Sequence, residues 1–232
     1  MKERLILIPG LGFGSDLFEH QIQHLEEVAE PVVVTVTDEA MDRQVEKIMS
    51  AAGEGRFGIV AHSGGTLAAI ACAATATEQV SHLVLQGSMG TSLPPIKEFL
   101  TGMAHDLEAG KVAESREAIR ETALGTGHPH QDELAARVIK AQEQIPVEQF
   151  VTQCKFIVRN MDQSESLPRL ATKTLFVHAR DDKFFDEELT RKIAGAVPES
   201  TVALLEDSGH LAAVEQPAAF TALVRLWLTE TR

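Results

Sequence analysis

Cysteine is scarce in this chain of 232 residues, which holds only two. Cys72 and Cys154 lie far apart and neither belongs to a metal-spaced pair. A disulfide framework and a cysteine-built metal site are therefore excluded, and two reduced, buried thiols are expected. Long hydrophobic runs are missing too. No apolar stretch approaches the roughly 18 residues that a membrane-crossing helix needs. The segment "LILIP" between "MKER" and Gly10 is too short for a signal-peptide core. The expectation is a cytoplasmic protein with no membrane partner. Positive charge is also in deficit: 21 Lys and Arg face 34 Asp and Glu, a net charge of −13. The basic residues do not cluster, so nucleic acid is excluded as a partner. Low-complexity tracts and internal repeats are absent. At 44% hydrophobic and 24% charged residues, the composition is that of a soluble globular protein rather than a disordered or fibrous one. The length suits one α/β domain with a sizeable core carrying an insertion, and is too short for two full domains.

What the chain does have is a set of short, β-rich apolar runs bounded by turn residues: "RLILIP", "PVVVTVT", "RFGIVAH", "SHLVLQG", "KTLFVHA" and "STVALLE". Their near-continuous apolarity predicts strands buried on both faces. Helix-length stretches separate the first four, namely "DLFEHQIQHLEEVAE", "MDRQVEKIMSAAG" and "GGTLAAIACAATATEQ". Such alternation predicts a doubly wound, mostly parallel six-stranded α/β sheet with right-handed crossovers. The alternation stops after Gly87. Ile96, Phe99, Leu100, Met103 and Leu107 take helical spacing, as do Val147, Phe150, Val151, Cys154 and Val158. A helical insertion over residues 91–168 is thus predicted within a core formed by 1–90 and 169–232. An amphipathic helix with Phe220, Leu223, Val224, Trp227 and Leu228 closes the chain.

Two stretches compete as anion sites. "LILIPGLGFGSD" passes from a strand into glycines and then a helix, with Asp38 placed where a ribose-binding acid would sit. Yet Gly10, Gly12 and Gly14 form GxGxG rather than GxGxxG, and no lysine follows to complete a phosphate loop. The second stretch, "GIVAHSGGTLAAIACA", decides the matter. Ser63 stands where an apolar strand meets a small-residue helix, flanked at two residues' distance by Ala61 and Gly65. A serine on so sharp a turn crowds those two positions, so both must be small. The turn lifts the hydroxyl above the carboxyl edge of the sheet. It also places the Gly64 N–H at a helix N-terminus, where it can face a developing oxyanion. Serine needs a base, and the base needs an orienting carboxylate. "HARDD" supplies Asp181 and Asp182 beyond one strand, and "DSGH" supplies His210 beyond the next. Loops at one edge of a parallel sheet converge, so these can meet above Ser63.

In the order Ser, Asp, His the sequence resembles the α/β-hydrolase superfamily, and more narrowly its small bacterial esterases, enol-lactonases and carbon–carbon hydrolases. "IPGLGFGSDLFEHQIQHL" is similar to the family's oxyanion loop and first helix, "AHSGG" to its nucleophile elbow, "ARDD" to its acid turn, and "DSGHLAAVEQPAAF" to its histidine loop. The resemblance implies Ser63 as nucleophile, His210 as base and Asp182 as orienting acid. Asp182 is preferred to Asp181 because it lies three residues beyond the small Ala179. Leu11 N–H and Gly64 N–H are implied as the oxyanion donors, and residues 91–168 as a cap. There are departures: Ala61 replaces the usual first elbow glycine, and Pro9 a usual histidine. The chain starts at the family's third strand, so its leading hairpin is expected to be missing. Gly64 stands where many relatives carry a larger side chain, which predicts a more open pocket roof.

Other candidates have plainer readings. Asp207 is a turn former. His62 faces away from Ser63 and packs or hydrogen-bonds beneath the elbow. His128 and His130 in "GHPH" lack a third ligand, so no metal site is expected. Met89, Phe99 and Met103 are candidates for the pocket or for the insertion's own core. The expected function is cofactor-free, metal-free hydrolysis of a small ester, thioester or lactone through an acyl-enzyme. The same groups could serve carbon–carbon hydrolysis or perhydrolysis, and a ligand-binding module on a hydrolase scaffold is the alternative of another class. Oligomeric state is not encoded in any of these patterns.

Overall fold

The computed structural model describes residues 2–125 and 130–230. β1 (Arg4–Ile8) leads through a 3₁₀ turn at Ser15–Phe18 to α1 (Glu19–Leu25), followed by β2 (Glu30–Val33), α2 (Met41–Ala52), β3 (Phe57–His62), α3 (Gly65–Thr75) and β4 (Val80–Gln86). Four helices come next: α4 (Pro94–Glu108), α5 (Val112–Ala123), α6 (Gln131–Glu143) and α7 (Val147–Asn160). The chain then returns through β5 (Thr174–Ala179), α8 (Glu187–Ala194), β6 (Ser200–Leu205), α9 (Ala212–Glu215) and α10 (Pro217–Glu230).

Among the described residues the strands form a single sheet in the order β2-β1-β3-β4-β5-β6, every pairing parallel. Sequence pattern predicts a mostly parallel sheet; the observed one is wholly so. β3 and β5 are buried along their entire lengths, as their near-continuous apolarity predicts, and the burial includes the polar His62, Thr174 and His178. α1 packs with α10, and α2 with α3, so the helices cover both sides of the sheet. Because β1 leads outward to β2 while β3 lies on its other side, the strand order reverses between β1 and β3. Their register pairs Ile8 with Ala61, so the loops after both strands emerge side by side at the carboxyl edge. A crevice at such a reversal is where ligands bind in open α/β sheets.

Two expectations shift in detail. The second strand ends at Val33 instead of running to Thr37. Val34 N–H still reaches Leu7 O at 2.9 Å, but the buried Gln44 side chain then captures the backbone, donating to Thr35 O and accepting from Thr37 N–H. The helix expected over 16–30 splits into the 3₁₀ turn and α1. α4 and α7 pack along each other through the apolar faces read from the sequence.

Candidate active site

β3 delivers Ser63 to the carboxyl edge. Its φ of 50° is the left-handed conformation that L-residues resist, at a cost of about 1–3 kcal/mol. The surroundings hold it there. Ser63 N–H donates to Gln86 O at 2.9 Å, and Ser63 O accepts from Thr66 N–H at 2.9 Å and Thr66 Oγ1 at 2.6 Å. A β-carbon on Gly65 would stand 2.6 Å from Ile8 O, so only hydrogen fits beneath the turn. Gly64 has helical backbone angles at the head of α3, which puts its N–H among the unpaired donors of that helix start.

His210, in the loop between β6 and α9, points Nε2 at Ser63 Oγ, 2.8 Å away, and Nδ1 at Asp182 Oδ2, also 2.8 Å away. An ionised carboxylate can only accept, so Nδ1 carries the proton and Nε2 is left to accept from the hydroxyl. The Asp182 side chain is 1% exposed. Burial is the largest single influence on it and opposes ionisation. The nearby His210, by charge and hydrogen bond, and the amides of Phe184 and Phe185 on Oδ1 at 2.8 and 3.2 Å nevertheless hold its carboxyl below the usual range. Phe184 and Phe185 also flank the imidazole, with ring centroids 4.8 and 5.5 Å from it. They follow Asp182 directly in "DDKFF", and the sequence reading did not single them out.

The glycine stretch after β1 makes a turn, Phe13 N–H donating to Gly10 O at 3.3 Å with Gly12 at φ 76°, a conformation that favours glycine. Gly12 N–H is fixed by Gln153 Oε1 of α7 at 2.8 Å. The loop presses on the elbow: a β-carbon at Gly10 would lie 2.8 Å from Ser63 Cβ. These glycines thus bring backbone up to the serine, and Leu11 reaches the cavity beside it.

That cavity holds about 470 Å³, counting its mouth. Met89, Phe99, Ile119, Ile157, Phe184 and Leu211 are among its apolar walls, and among the described residues the polar side chains on it are His62, Ser63 and His210. Met89 and Phe99 therefore lie where the pocket was expected. Met103 is buried one turn further along α4, outside the lining. The space above Gly64 is filled from the helical segment. Ile157 descends from α7 into the space above Gly64, so that a β-carbon there would stand 2.7 Å from Ile157 Cγ1.

The remaining candidates sit as follows. Asp181 is exposed, its N–H donating to Ser208 O at 2.9 Å. Asp207 is an exposed turn residue at φ 54°. His62 is buried and lines the cavity, and its Nε2 donates to His210 O at 2.9 Å. Desolvation, followed by the nearby His210, lowers its pKa to about 3, so the ring is neutral. His130 pairs with Glu133 at 3.5 Å on the surface, while His128 lies outside the described residues. Cys72 and Cys154 are buried and unbridged, and burial pushes both thiols up to about 12. Among the described residues no helix is long and apolar enough to cross a membrane.

Comparison with known proteins agrees with this architecture. Residues 29–217 match the family model described as alpha/beta hydrolase fold. Over 72 residues the chain is 33% identical to a protein of Pseudomonas syringae pv. syringae (strain B728a) provisionally named carbamate hydrolase RutD; the match covers 31% of this chain and 28% of that one. A thermophilic esterase from Thermogutta terrifontis superposes with a TM-score of 0.85 at 18% identity, over 98% of this chain and 90% of the other. The enol-lactonase from Burkholderia xenovorans LB400 superposes with a TM-score of 0.86 at 16% identity, over 99% and 92%. With most of its length matched by the family model, the chain belongs to the alpha/beta hydrolase fold family and is an enzyme of that fold.

Proposed function

We propose that the protein is a serine hydrolase that cleaves a small carboxylic ester, thioester or lactone. The observation that carries this reading is the unbroken relay from Ser63 Oγ through the His210 imidazole to Asp182, opening on an apolar cavity. Ser63 Oγ attacks the carbonyl carbon as His210 Nε2 takes the hydroxyl proton, giving a tetrahedral oxyanion that faces the Gly64 and Leu11 amides. The carbonyl re-forms as the bond to the leaving oxygen or sulfur breaks, and His210 returns the proton to the departing group. Water then attacks the acyl-enzyme, giving its proton to His210. Collapse frees the carboxylic acid and returns the proton to Ser63. The reaction balances without metal or organic cofactor. Asp182 keeps the imidazole in the tautomer each step requires, and the helices of 91–168 act as a cap that excludes water and selects the acyl group.

The cavity wall refines the substrate class. A carboxylate carried in by the acyl chain would lose its hydration against Met89, Phe99 and Ile119, and no cation stands among the described lining residues to replace it. The acyl group is accordingly an uncharged hydrocarbon one. Turnover of 4-nitrophenyl acetate and butyrate by wild type and Ser63→Ala tests the reaction, with a loss of at least about 10³ expected in the variant. Equal rates in the two would remove the reading. Comparing 4-nitrophenyl pentanoate with the matching hemiglutarate tests the class. A preference for the pentanoate of about 100-fold or more is expected, and parity or reversal would contradict it.

A further inference from the structure

Glu215, the last residue of α9, is 4% exposed, and its carboxylate gathers backbone amides from two distant parts of the chain. Oε2 accepts from Gly209 N–H at 3.0 Å and from Gly125 N–H at 2.9 Å, while Oε1 accepts from Leu211 N–H at 3.1 Å. Gly209 and Leu211 are the two neighbours of His210. Gly125 follows α5 in the helical segment between β4 and β5. At this point the two stretches of backbone touch. A β-carbon on Gly209 would stand 2.7 Å from Gly125 Cα, and one on Gly125 would stand 2.9 Å from both Gly209 N and Glu215 Oε2. Ala123 and Leu211, each two residues from one of these glycines, both line the cavity. The contact therefore seams the cavity edge nearest the imidazole.

We propose that Glu215 is a positioning residue for His210. It grips the main chain on both sides of that residue and, through Gly125, fastens the helical segment to the same loop. The inference rests on the reading of His210 as the general base. The imidazole is aimed at Ser63 and Asp182 by bonds at its two nitrogens, but its origin is set by the backbone that Glu215 holds. A displacement of about 1 Å is enough to cost about 10² in rate. A carboxylate suits the task because the three amides of Gly125, Gly209 and Leu211 all donate to it, whereas a carboxamide would turn an NH₂ toward at least one of those N–H groups. The Gly125 bond gives the same side chain a second consequence, since loosening it moves a wall of the cavity rather than the base.

The two halves of the contact therefore carry different kinetic signatures. The test measures kcat and KM for 4-nitrophenyl butyrate, per active site titrated with a fluorophosphonate, at a temperature where circular dichroism shows each variant folded. Glu215→Gln is expected to lower kcat at least about 10-fold with KM within about twofold. Gly125→Ala is expected to raise KM at least about threefold and to lower kcat less than Glu215→Gln does. If Glu215→Gln yields no folded protein, Glu215→Asp carries the comparison: a kcat loss of about threefold or more at constant KM supports the proposal, and an unchanged kcat overturns it. A Glu215→Gln enzyme with a lower melting temperature but wild-type kcat and KM per site would overturn it as well, leaving a purely structural carboxylate. Wild-type turnover no greater than that of Ser63→Ala would instead remove the hydrolase reading, and this inference with it.

Discussion

Asp182 joins stability to the proposed chemistry in one side chain. Its carboxyl is buried yet held below its ordinary range by the His210 charge and hydrogen bond and by two amides. A folded-state value lower than the unfolded one, about 3.9 for aspartate, stabilises the fold above that pH; the contribution fades as pH falls through the folded value. The difference in unfolding free energy between wild type and Asp182→Asn, measured by urea denaturation, should therefore be largest near neutrality and shrink below about pH 4. A difference that grew with acidity would contradict the pairing. The same variant should lose about 10³ to 10⁴ in kcat, because the amide no longer enforces the Nδ1–H tautomer. At this scale the sequence was partly legible. Ser63 stood out because the crowding of its turn is local, written in Ala61 and Gly65. Asp182 was preferred to Asp181 only through the family resemblance, because adjacent positions in a loop do not by themselves reveal which turns inward, as Asp182 does. Gln153 could not be read at all, since its partner Gly12 is 141 residues away and an isolated glutamine on a helix carries no signal.

Among elements, the junction of β3 and α3 against α7 governs the site. Ile157 fills the space that a side chain at position 64 would need. Gly64→Ala should cost about 1–3 kcal/mol by overpacking, and Ile157→Ala about 2–5 kcal/mol by cavity formation. The double variant should cost less than the sum by at least about 0.5 kcal/mol, because each change accommodates the other. Strict additivity in urea denaturation would argue that α7 does not rest on the elbow. The pattern of 3.6-residue spacing revealed α4 and α7, which have strong apolar faces. α5 and α6 have Arg, Glu, Gln and Lys interspersed and were visible only as a helical stretch without boundaries. β2 was read too long because the side chain of Gln44, not a neighbouring strand, satisfies the backbone beyond Val34.

For the whole molecule, the alternation of strand and helix made the parallel sheet legible, and the reversal between β1 and β3 accounts for where the site lies. What the alternation could not give is how residues 91–168 attach. Besides contacts such as Arg137 with Glu19 and Asn160 with Glu39 O, three contacts reach loops beside Ser63 and His210: Ile157 on Gly64, Gln153 on Gly12, and Gly125 on Glu215. Each couples the helical segment to a loop of the site, so thermal unfolding should be a single transition whose calorimetric and van't Hoff enthalpies agree. Separate transitions would indicate that the segment unfolds by itself. The central claim is that Ser63 is the activated nucleophile, and stoichiometric labelling with a fluorophosphonate, located by mass spectrometry, tests it most directly. The account predicts one adduct per chain, on Ser63, abolished in Ser63→Ala and slowed in Asp182→Asn. Esterase turnover with Ser63 unlabelled, or an adduct that persists in Ser63→Ala, would contradict it.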